Sequence, residues 1–438
     1  MSDKGVLSSW NKLASRSSFF LLRFIDRLRP QLGEYAELIF EKSEEVIQLA
    51  ETGQTKLLSN DIENFYEIIG SLLEGFQMDP SKVKDILSRY FNLINSKIDS
   101  ISGENYELVI DYIRRINMLL KSIKEKTASQ SKELLLHMSG VFSTICIQIK
   151  YPVHEYTVYL QKWVNLVGVD MVKQVARYIE FMLGHKTQQF LDTSIRLLTF
   201  VVLELAEGLE LLDNYMVPIF EHLEQIGFPE SSKSDVDKDK LGVFSKFTKL
   251  IQTWTQRDSR ALISSKCATV FEKVLDLLLF MLNQSVDKQF RKDALLILRS
   301  MLIEFSGCTL SQIKQIHIGN KEKIEERKII DKSELHPTWK YLSNRVAEAS
   351  FDIFKYLNPS DPVDVNSIYL VSLIHVVLIN TDTEFASNYQ KNIMNIKDDI
   401  EFDSLAQLID QFSQNKVKIG AFKQHITKLW RSTDSSKK

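Results

Sequence analysis

The sequence predicts an all-α protein, an α-solenoid of HEAT-like helical hairpins stacked in a curved superhelix. Three observations predict this fold class. Apolar residues recur at helical spacing throughout the 438 residues. Paired amphipathic segments return roughly every forty residues, a period typical of helical repeats. The chain holds only 15 Gly and 8 Pro, too few for the turn-rich loops of a β protein. We therefore expect about nine antiparallel helix pairs.

The individual helices follow from apolar stripes and from start and stop signals. Val83, Leu87 and Ile94, for example, share one helical face. Pro80 and Pro362 each follow an aspartate, which is typical of an N-cap with proline at the first helical position. In chain order the predicted pairs are 8–29 with 31–51, 59–77 with 80–100, 104–126 with 130–148, 152–167 with 170–184, 187–206 with 209–226, 240–258 with 266–284, 286–306 with 336–357, 362–381 with 386–397, and 402–413 with 415–431.

Two polar segments interrupt the repeat. Residues 229–240, PESSKSDVDKDK, predict a flexible loop between an N-terminal arm, 1–228, and a C-terminal arm, 241–438. A charged insertion near 308–336 contains KEKIEERKIIDK and is expected between the two helices of one repeat. Solenoids commonly carry such insertions as surface loops.

The net charge of −2 conceals a strong segregation of charge. From Glu34 to Asp79, eleven acids and two lysines give −9; from Asp361 to Asp410, nine acids and two lysines give −7. From Lys416 to Lys438, seven basic residues and one acid give +6. A basic end beside an acidic stretch limits where a polyanion can sit. Solvated helix faces are the simpler interpretation of each run taken alone.

No catalytic motif stands out, so the sequence predicts that the protein is not an enzyme and holds no metal or cofactor. Phosphate-loop, dinucleotide, zinc-protease and nucleophile-elbow motifs do not occur in it. The histidines are scattered, and we interpret His375, His137 and His222 as hydrogen-bonded core residues rather than ligands. The three cysteines lie far apart. The longest apolar stretches are too short to cross a membrane, so membrane insertion is not expected.

Several segments, in order, resemble the C-terminal half of exportin-T, the tRNA-export branch of the importin-β (karyopherin) superfamily. Each segment alone is a weak signal because helical repeats imitate one another, and the colinear series carries the resemblance. The segments are SRSSFFLLRFIDRLRPQLGEYAELIF (15–40), LLSNDIENFYEIIGSLLEGF (57–76), NYMVPIFEHLEQIGFP (214–229), VDKQFRKDALLILRSMLIEFSG (286–307) and GAFKQHITKLW (420–430).

The resemblance implies a monomeric transport receptor that shuttles between nucleus and cytoplasm through the nuclear pore. Its inner helices would contact the backbone of tRNA in a complex with Ran-GTP, and its surface would bind nucleoporin FG repeats. Because the family's N-terminal half, which carries most of the Ran-binding surface, has no counterpart here, we expect Ran-GTP to be bound mainly through that missing half.

Basic residues on the second helix of each pair are the candidate tRNA-binding residues, if the second helices line the inner surface. Lysine and arginine would neutralise phosphates, and such binding weakens steeply with salt. The C-terminal group is the strongest set because it is dense and nearly free of acids. The candidates are Lys416, Lys418, Lys423, Lys428 and Arg431, together with Lys340, Arg345, Lys82, Arg89 and Lys97.

Two other functions share the same architecture, since a fold does not determine a function. One is a karyopherin for a basic protein cargo, which the acidic segments would hold. The other is a HEAT-repeat scaffold without a transport role.

Overall fold

A computed structural model describes residues 5–28, 31–75, 80–99, 106–149, 154–227, 235–258, 268–283, 288–305, 339–353 and 362–381. Helices, turns and short loops account for all of this described part, and no strand occurs in it. The helices are α1 Asn11–Leu28, α2 Ala36–Glu51, α3 Ser59–Gly75, α4 Pro80–Asp99, α5 Tyr106–Lys121, α6 Glu125–Gln130, α7 Lys132–Ile149, α8 His154–Val167, α9 Val172–Gly184, α10 Gln188–Glu204, α11 Gly208–Ile226, α12 Asp235–Asp258, α13 Ala268–Asn283, α14 Lys288–Phe305, α15 Trp339–Asp352 and α16 Pro362–Thr381. The prediction of an all-α protein of HEAT-like helical pairs is confirmed.

The helix bounds agree with the predicted ones to within a few residues, with two differences. The short helix α6 precedes α7, so the segment after α5 contains an extra turn of helix. Helix α12 begins at Asp235, so residues 235–240 of the predicted flexible loop are helical. Acidic residues at a helix start are stabilised by the helix dipole, which explains how this polar segment can open a helix. The charged insertion at 308–336 and the predicted helices beyond 382 lie outside the described residues.

The chain divides into two compact units, Met1–Gly208 and Leu209–Lys438. This division differs in position from the predicted arms at 1–228 and 241–438, which remain a prediction. In the first unit α1, α3, α5, α8 and α10 pack side by side in one row. The second row contains α4, α7 and α9, and ion pairs join α2 to α4. The first helices of successive pairs therefore form one row, and the second helices form the other, as in a stack of hairpins.

The register of the second row follows from two ion pairs between α2 and α4. Lys82 pairs with Glu37, and Arg89 pairs with Glu44. The partners are seven residues apart on both helices, two turns in each case. Since both numbers rise together, α2 and α4 run parallel, with an offset of 45 residues. The repeat period predicted from the sequence is thus visible as a physical translation from one hairpin to the next.

Aromatic packing holds the middle of the first unit together. Tyr156 and Tyr159 of α8 are fully buried. The Tyr159 ring lies 5.2 Å from that of Phe142 on α7, and the Tyr156 ring lies 4.7 Å from that of Tyr178 on α9, both edge to face. Edge-to-face aromatic pairs each add about 0.5–1.5 kcal/mol beyond burial. The cluster therefore joins both rows.

A glycine sets the closest approach within the first row. Gly70 of α3 is buried, and a Cβ atom built on it would lie 1.8 Å from the carbonyl oxygen of Leu119 on α5. A side chain of any size would push the two helix backbones apart. The contact between α3 and α5 therefore requires glycine at this position.

The second unit shows the same arrangement in its described part. Helices α12, α14 and α16 form one row, and α13 packs on α15. The Nζ atom of Lys273 on α13 lies 3.0 Å from Glu224 of α11, which places α11 next to α13. Buried Arg291 of α14 lies 3.5 Å from buried Asp364 of α16. A buried pair of this kind ties the two helices together, because either charge alone would be costly to bury.

Candidate nucleic-acid interface

The predicted site residues fall into three sets. Lys416, Lys418, Lys423, Lys428 and Arg431 lie outside the described residues. Lys82, Arg89 and Lys97 lie on α4 of the first unit, and Lys340 and Arg345 lie on α15 of the second unit. All five of the described residues therefore lie on helices that are second in their predicted pairs, as the sequence predicted.

The two α4 cations near the start and middle of that helix already have carboxylate partners on α2. Lys82 hydrogen-bonds to Glu37 and thereby lowers the pKa of that carboxyl group. Arg89 Nη1 lies 3.6 Å from Glu44 Oε1, and the Arg89 guanidinium lies 5.8 Å from the centre of the Phe40 ring. Both cations remain largely exposed. They bridge neighbouring helices and still face solvent.

On α15, Arg345 also pairs with a carboxylate on the second helix of the preceding hairpin, which is α13. Arg345 Nη2 donates a 2.6 Å hydrogen bond to Asp276 Oδ1 of α13, and the guanidinium stands 5.9 Å from the centre of the Tyr341 ring. Lys340 is exposed. Lys97, in the last turn of α4, is half-buried.

Three of the five described candidates are therefore paired with an acid on the preceding helix of the same row. Exposed ion pairs of this type contribute about 0–1 kcal/mol each. A phosphate can replace such a carboxylate at small cost in stability, but the acid then remains nearby and weakens the attraction. The pairing lowers the phosphate affinity expected of Lys82, Arg89 and Arg345.

The first row of the first unit carries an acidic cluster around Arg114. The Arg114 guanidinium lies 2.7 Å from Glu155, 3.1 Å from Asp111 and 3.9 Å from Glu63. Burial raises the pKa of Glu63, and Arg114 opposes that rise. Three carboxylates share one guanidinium, so this surface repels phosphate and suits a cationic group.

Sequence reasoning overlooked the solvent face of α1. Lys12, Arg16, Arg23 and Arg27 are exposed along it. Phe20 is 66% exposed, Phe24 53% and Phe19 47%, and Trp10, just before the helix, is 63% exposed. The opposite face, which includes Leu22 and Ile25, is buried. A helical wheel of residues 11–28 would have revealed the pattern, because these positions fall on one arc at 100° per residue.

A concave pocket of about 490 Å³ adjoins this face, between α1 and α3. Ser15, Arg16, Phe19 and Phe20 of α1 and Asn60, Asp61 and Asn64 of α3 line it. Asp61 accepts a 2.6 Å hydrogen bond from the Ser15 hydroxyl and a 3.0 Å hydrogen bond from the Leu58 amide. Asn60 and Asn64 offer amide donors and acceptors at the same place.

A second groove, in the second unit, is more apolar. It has a volume of about 590 Å³ between α11 and α13, and its lining includes Phe220, Leu277 and Phe280. Lys273 stands over the Phe220 ring at 5.5 Å while it pairs with Glu224. The lining of this groove thus combines aromatic side chains with the ion pair between Lys273 and Glu224.

The remaining candidates for chemistry are structural. His375 is fully buried, its Nε2 lies 2.9 Å from the Ser350 hydroxyl, and burial lowers its pKa to about 3, so it stays neutral. His222 is buried as well, whereas His137 is exposed, so its assignment to the core was wrong. His137 lies on the solvent side of α7, next to buried Met138.

Within the described ranges, no group of three or more histidine, cysteine or acidic residues is arranged to hold a metal ion. The described helices also include none long and apolar enough to span a membrane.

Comparison with known proteins finds similarity only at the level of structure. No family model matches the chain, and no curated protein matches its sequence. Among solved structures, a crystal structure of importin beta in a polyethylene glycol condition aligns with a TM-score of 0.47 and 11% identity, over 94% of this chain and 49% of that one. A second, in an ammonium sulfate condition, aligns with a TM-score of 0.49 and 11% identity, over 94% of this chain and 47% of that one.

The chain thus spans about half the length of the importin beta chains it matches. Both structures are of importin beta, so the resemblance to the tRNA-export branch remains a prediction from the sequence. The similarity of this chain to importin beta is therefore one of fold, at 11% sequence identity.

Proposed function

We propose that this chain is a transport receptor of the karyopherin type, or the C-terminal half of one, that binds tRNA together with Ran-GTP and carries it out of the nucleus. One observation carries the proposal. In each unit a helix that is second in its predicted pair presents cations to solvent: exposed Lys82 and Arg89 on α4 of the first unit, and exposed Lys340 with half-exposed Arg345 on α15 of the second. Repeated charge along a helical stack suits a long polyanion better than a small molecule.

The choice of folded RNA rests on the colinear sequence segments and on the kind of surface available. The described candidates place lysine and arginine on the faces of α4 and α15, which suits recognition of an RNA by shape and backbone. The deep major groove of folded RNA does not admit side chains that would read its bases. With backbone contacts, we expect binding that varies little between tRNA sequences.

Ran-GTP and nucleoporin FG repeats are proposed as binding partners because the same sequence resemblance implies them. In keeping with that resemblance, Ran-GTP is proposed to be bound mainly through an N-terminal half that has no counterpart in this sequence. Shuttling between nucleus and cytoplasm through the nuclear pore follows from those two partners.

A titration of labelled tRNA, with and without Ran-GTP, at 50 and 200 mM salt tests the proposal. We expect tighter binding with Ran-GTP and a loss of affinity at the higher salt, because phosphate contacts release counterions. Lys82→Ala with Arg89→Ala should weaken binding. Lys84→Ala is the matched control, since Lys84 is exposed on another side of the same helix. Equal effects of the two changes would remove Lys82 and Arg89 from the site.

A protein cargo is the second candidate, and the Arg114 cluster favours it. Glu63, Asp111 and Glu155 leave an excess of negative charge on the first row, and α2 carries five acids against one lysine. A basic segment of a cargo protein would complement both surfaces. Capture of lysine-rich protein without any tRNA, with loss of capture in Glu155→Gln, would favour this candidate.

A further inference from the structure

The solvent face of α1 combines large aromatic rings with cations. A helix on the surface of a solenoid normally presents polar side chains, and large exposed apolar groups mark interaction sites. Here Phe19, Phe20 and Phe24 are each about half exposed or more, although they lie on a helix that packs on α3. These rings face solvent while the aliphatic residues of α1 fill the core.

Four cations accompany the aromatic rings. At 100° per residue, Lys12, Arg16, Arg23 and Arg27 fall within an arc of about 60°. No carboxylate pairs with any of the four in the part of the chain that the structure describes. The guanidinium of Arg23 instead lies 5.2 Å from the centre of the Phe19 ring. Unlike Lys82 and Arg89, these cations have no carboxylate partner among the residues that the structure describes.

The arrangement of the two residue types points to one class of partner. Phe19 lies on one side of the cationic strip, and Phe20 and Phe24 lie on the other, so charge and rings are interleaved. Helices that lie on membranes separate an apolar face from a charged one. The apolar face of α1 is buried against the protein. Interleaved cations and aromatic rings are instead typical of surfaces that bind single-stranded nucleic acid, with phosphates on the cations and bases on the rings.

We propose that the solvent face of α1 binds single-stranded nucleic acid, with Lys12, Arg16, Arg23 and Arg27 holding the phosphates and Phe20 and Phe24 stacking on bases. From Lys12 to Arg27 the strip is about 22 Å long at 1.5 Å per residue. That length fits a short site of roughly four nucleotides, the lower end of known single-strand site sizes.

The pocket between α1 and α3 extends the site. Arg16, Phe19 and Phe20 of α1 line it together with Asn60, buried Asp61 and Asn64 of α3. Because the Asp61 carboxylate is part of this lining, a phosphate is disfavoured there. A base with amino groups is favoured, since Asn60 and Asn64 can also hydrogen-bond to a base edge. Phosphates therefore follow the strip, while one base enters the pocket.

This site differs from the proposed tRNA surface in its residues and in its ligand. It lies on a first-row helix, recognises unpaired nucleotides and does not require Ran-GTP. If substitution of Lys82 and Arg89 does not affect tRNA binding, the proposal of a single-strand site on α1 still stands. If α1 does not bind single strands, the transport proposal still stands.

The test measures fluorescence anisotropy of a labelled 12-nucleotide single-stranded RNA, and of a duplex of the same length, with the full chain and no Ran-GTP. We expect the single strand to bind more tightly than the duplex. Phe20→Ala with Phe24→Ala should weaken single-strand binding at least about 5-fold, because stacking on each base is worth about 1–3 kcal/mol. Phe280→Ala, at an exposed ring on α13, is the matched control and should change nothing.

The cations are tested by the salt dependence of the same binding. Arg16→Ala with Arg27→Ala should reduce the slope of log affinity against log salt by about 1.4, because each phosphate contact on a single strand contributes about 0.7. Equal affinity for duplex and single strand, or full affinity in the phenylalanine variant, would overturn the proposal. Binding of phosphatidylserine vesicles that the same variants abolish, without RNA binding, would assign the face to a membrane instead.

Discussion

Arg89 Nη1 on α4 lies 3.6 Å from Glu44 Oε1 on α2, one repeat earlier in the chain. The same relation recurs between Lys82 and Glu37, and between Arg345 and Asp276 in the second unit. In each case a cation on the later helix meets a carboxylate on the earlier helix of the same row. These pairs mark the register of the stack, and they lie on residues proposed to meet phosphate.

The second-row ion pairs should matter more for binding than for stability. Lys82→Ala with Arg89→Ala is expected to lower the free energy of unfolding by less than about 2 kcal/mol, since exposed pairs contribute at most about 1 kcal/mol each. Urea denaturation of the double variant, compared with Lys84→Ala, measures this effect. A loss of several kcal/mol would mean that the pairs hold the helices together and are not free to exchange for phosphate.

Gly70→Ala should be strongly destabilising. The new Cβ would lie 1.8 Å from the carbonyl oxygen of Leu119, so α3 and α5 must separate, and overpacking of this kind costs about 1–3 kcal/mol or more. Gly140→Ala is the control, because its Cβ would meet only the Gln174 side chain at 3.9 Å and alanine favours the helix by up to about 1 kcal/mol. Thermal melts of both variants compare them. Similar melting temperatures would show that α3 and α5 do not pack this closely.

Removing one partner of the buried ion pair between α14 and α16 should destabilise the protein strongly. Arg291→Met leaves Asp364 fully buried with Lys288 3.5 Å away, and we expect a loss of about 3 kcal/mol, at the low end for broken buried pairs. Adding Asp364→Leu removes the buried carboxylate that Arg291 no longer pairs with and should recover most of that loss. Urea unfolding measures both variants. If the double variant is no more stable than the single one, the contribution of Arg291 to stability does not come from its ion pair with Asp364.

Glu63 should make the stability of the protein depend on pH. Burial raises the pKa of this carboxyl group in the folded state, so its ionised form is disfavoured there at neutral pH. Glu63→Gln removes that penalty and is expected to stabilise the fold at pH 7. Below about pH 4 the wild-type side chain is protonated in both states, and the difference should vanish. Urea midpoints of both proteins from pH 4 to 8 test the sign; a stabilisation that grows as the pH falls would contradict it.

Much of the fold could be predicted from the sequence because the helices are locally encoded. Apolar stripes and the Asp79-Pro80 and Asp361-Pro362 starts locate α4 and α16 without any tertiary information. The start of α12 was placed too late, since its first residues are polar and carry little apolar periodicity. Helix α6 was not predicted as a separate helix, because so short a helix leaves almost no periodic signal; the predicted helices 104–126 and 130–148 instead ended and began within it.

The candidate site could be predicted only in part. That α4 and α15 carry exposed cations follows from the helix pairing, but their carboxylate partners lie 45 and 69 residues away and become apparent only when the rows pack. The α1 face is the reverse case. Its cations and rings lie within one helix, so a helical projection would have found them, whereas their exposure depends on which side of α1 meets α3.

The dependence of tRNA binding on Ran-GTP and on salt tests the central proposal most directly. We expect labelled tRNA to bind the chain at 50 mM salt, more tightly when Ran-GTP is present. The affinity should fall at least about 10-fold by 200 mM salt, through several phosphate contacts. Absence of tRNA binding at 50 mM salt in the presence of Ran-GTP, while basic proteins are retained, would contradict the assignment of tRNA as the cargo.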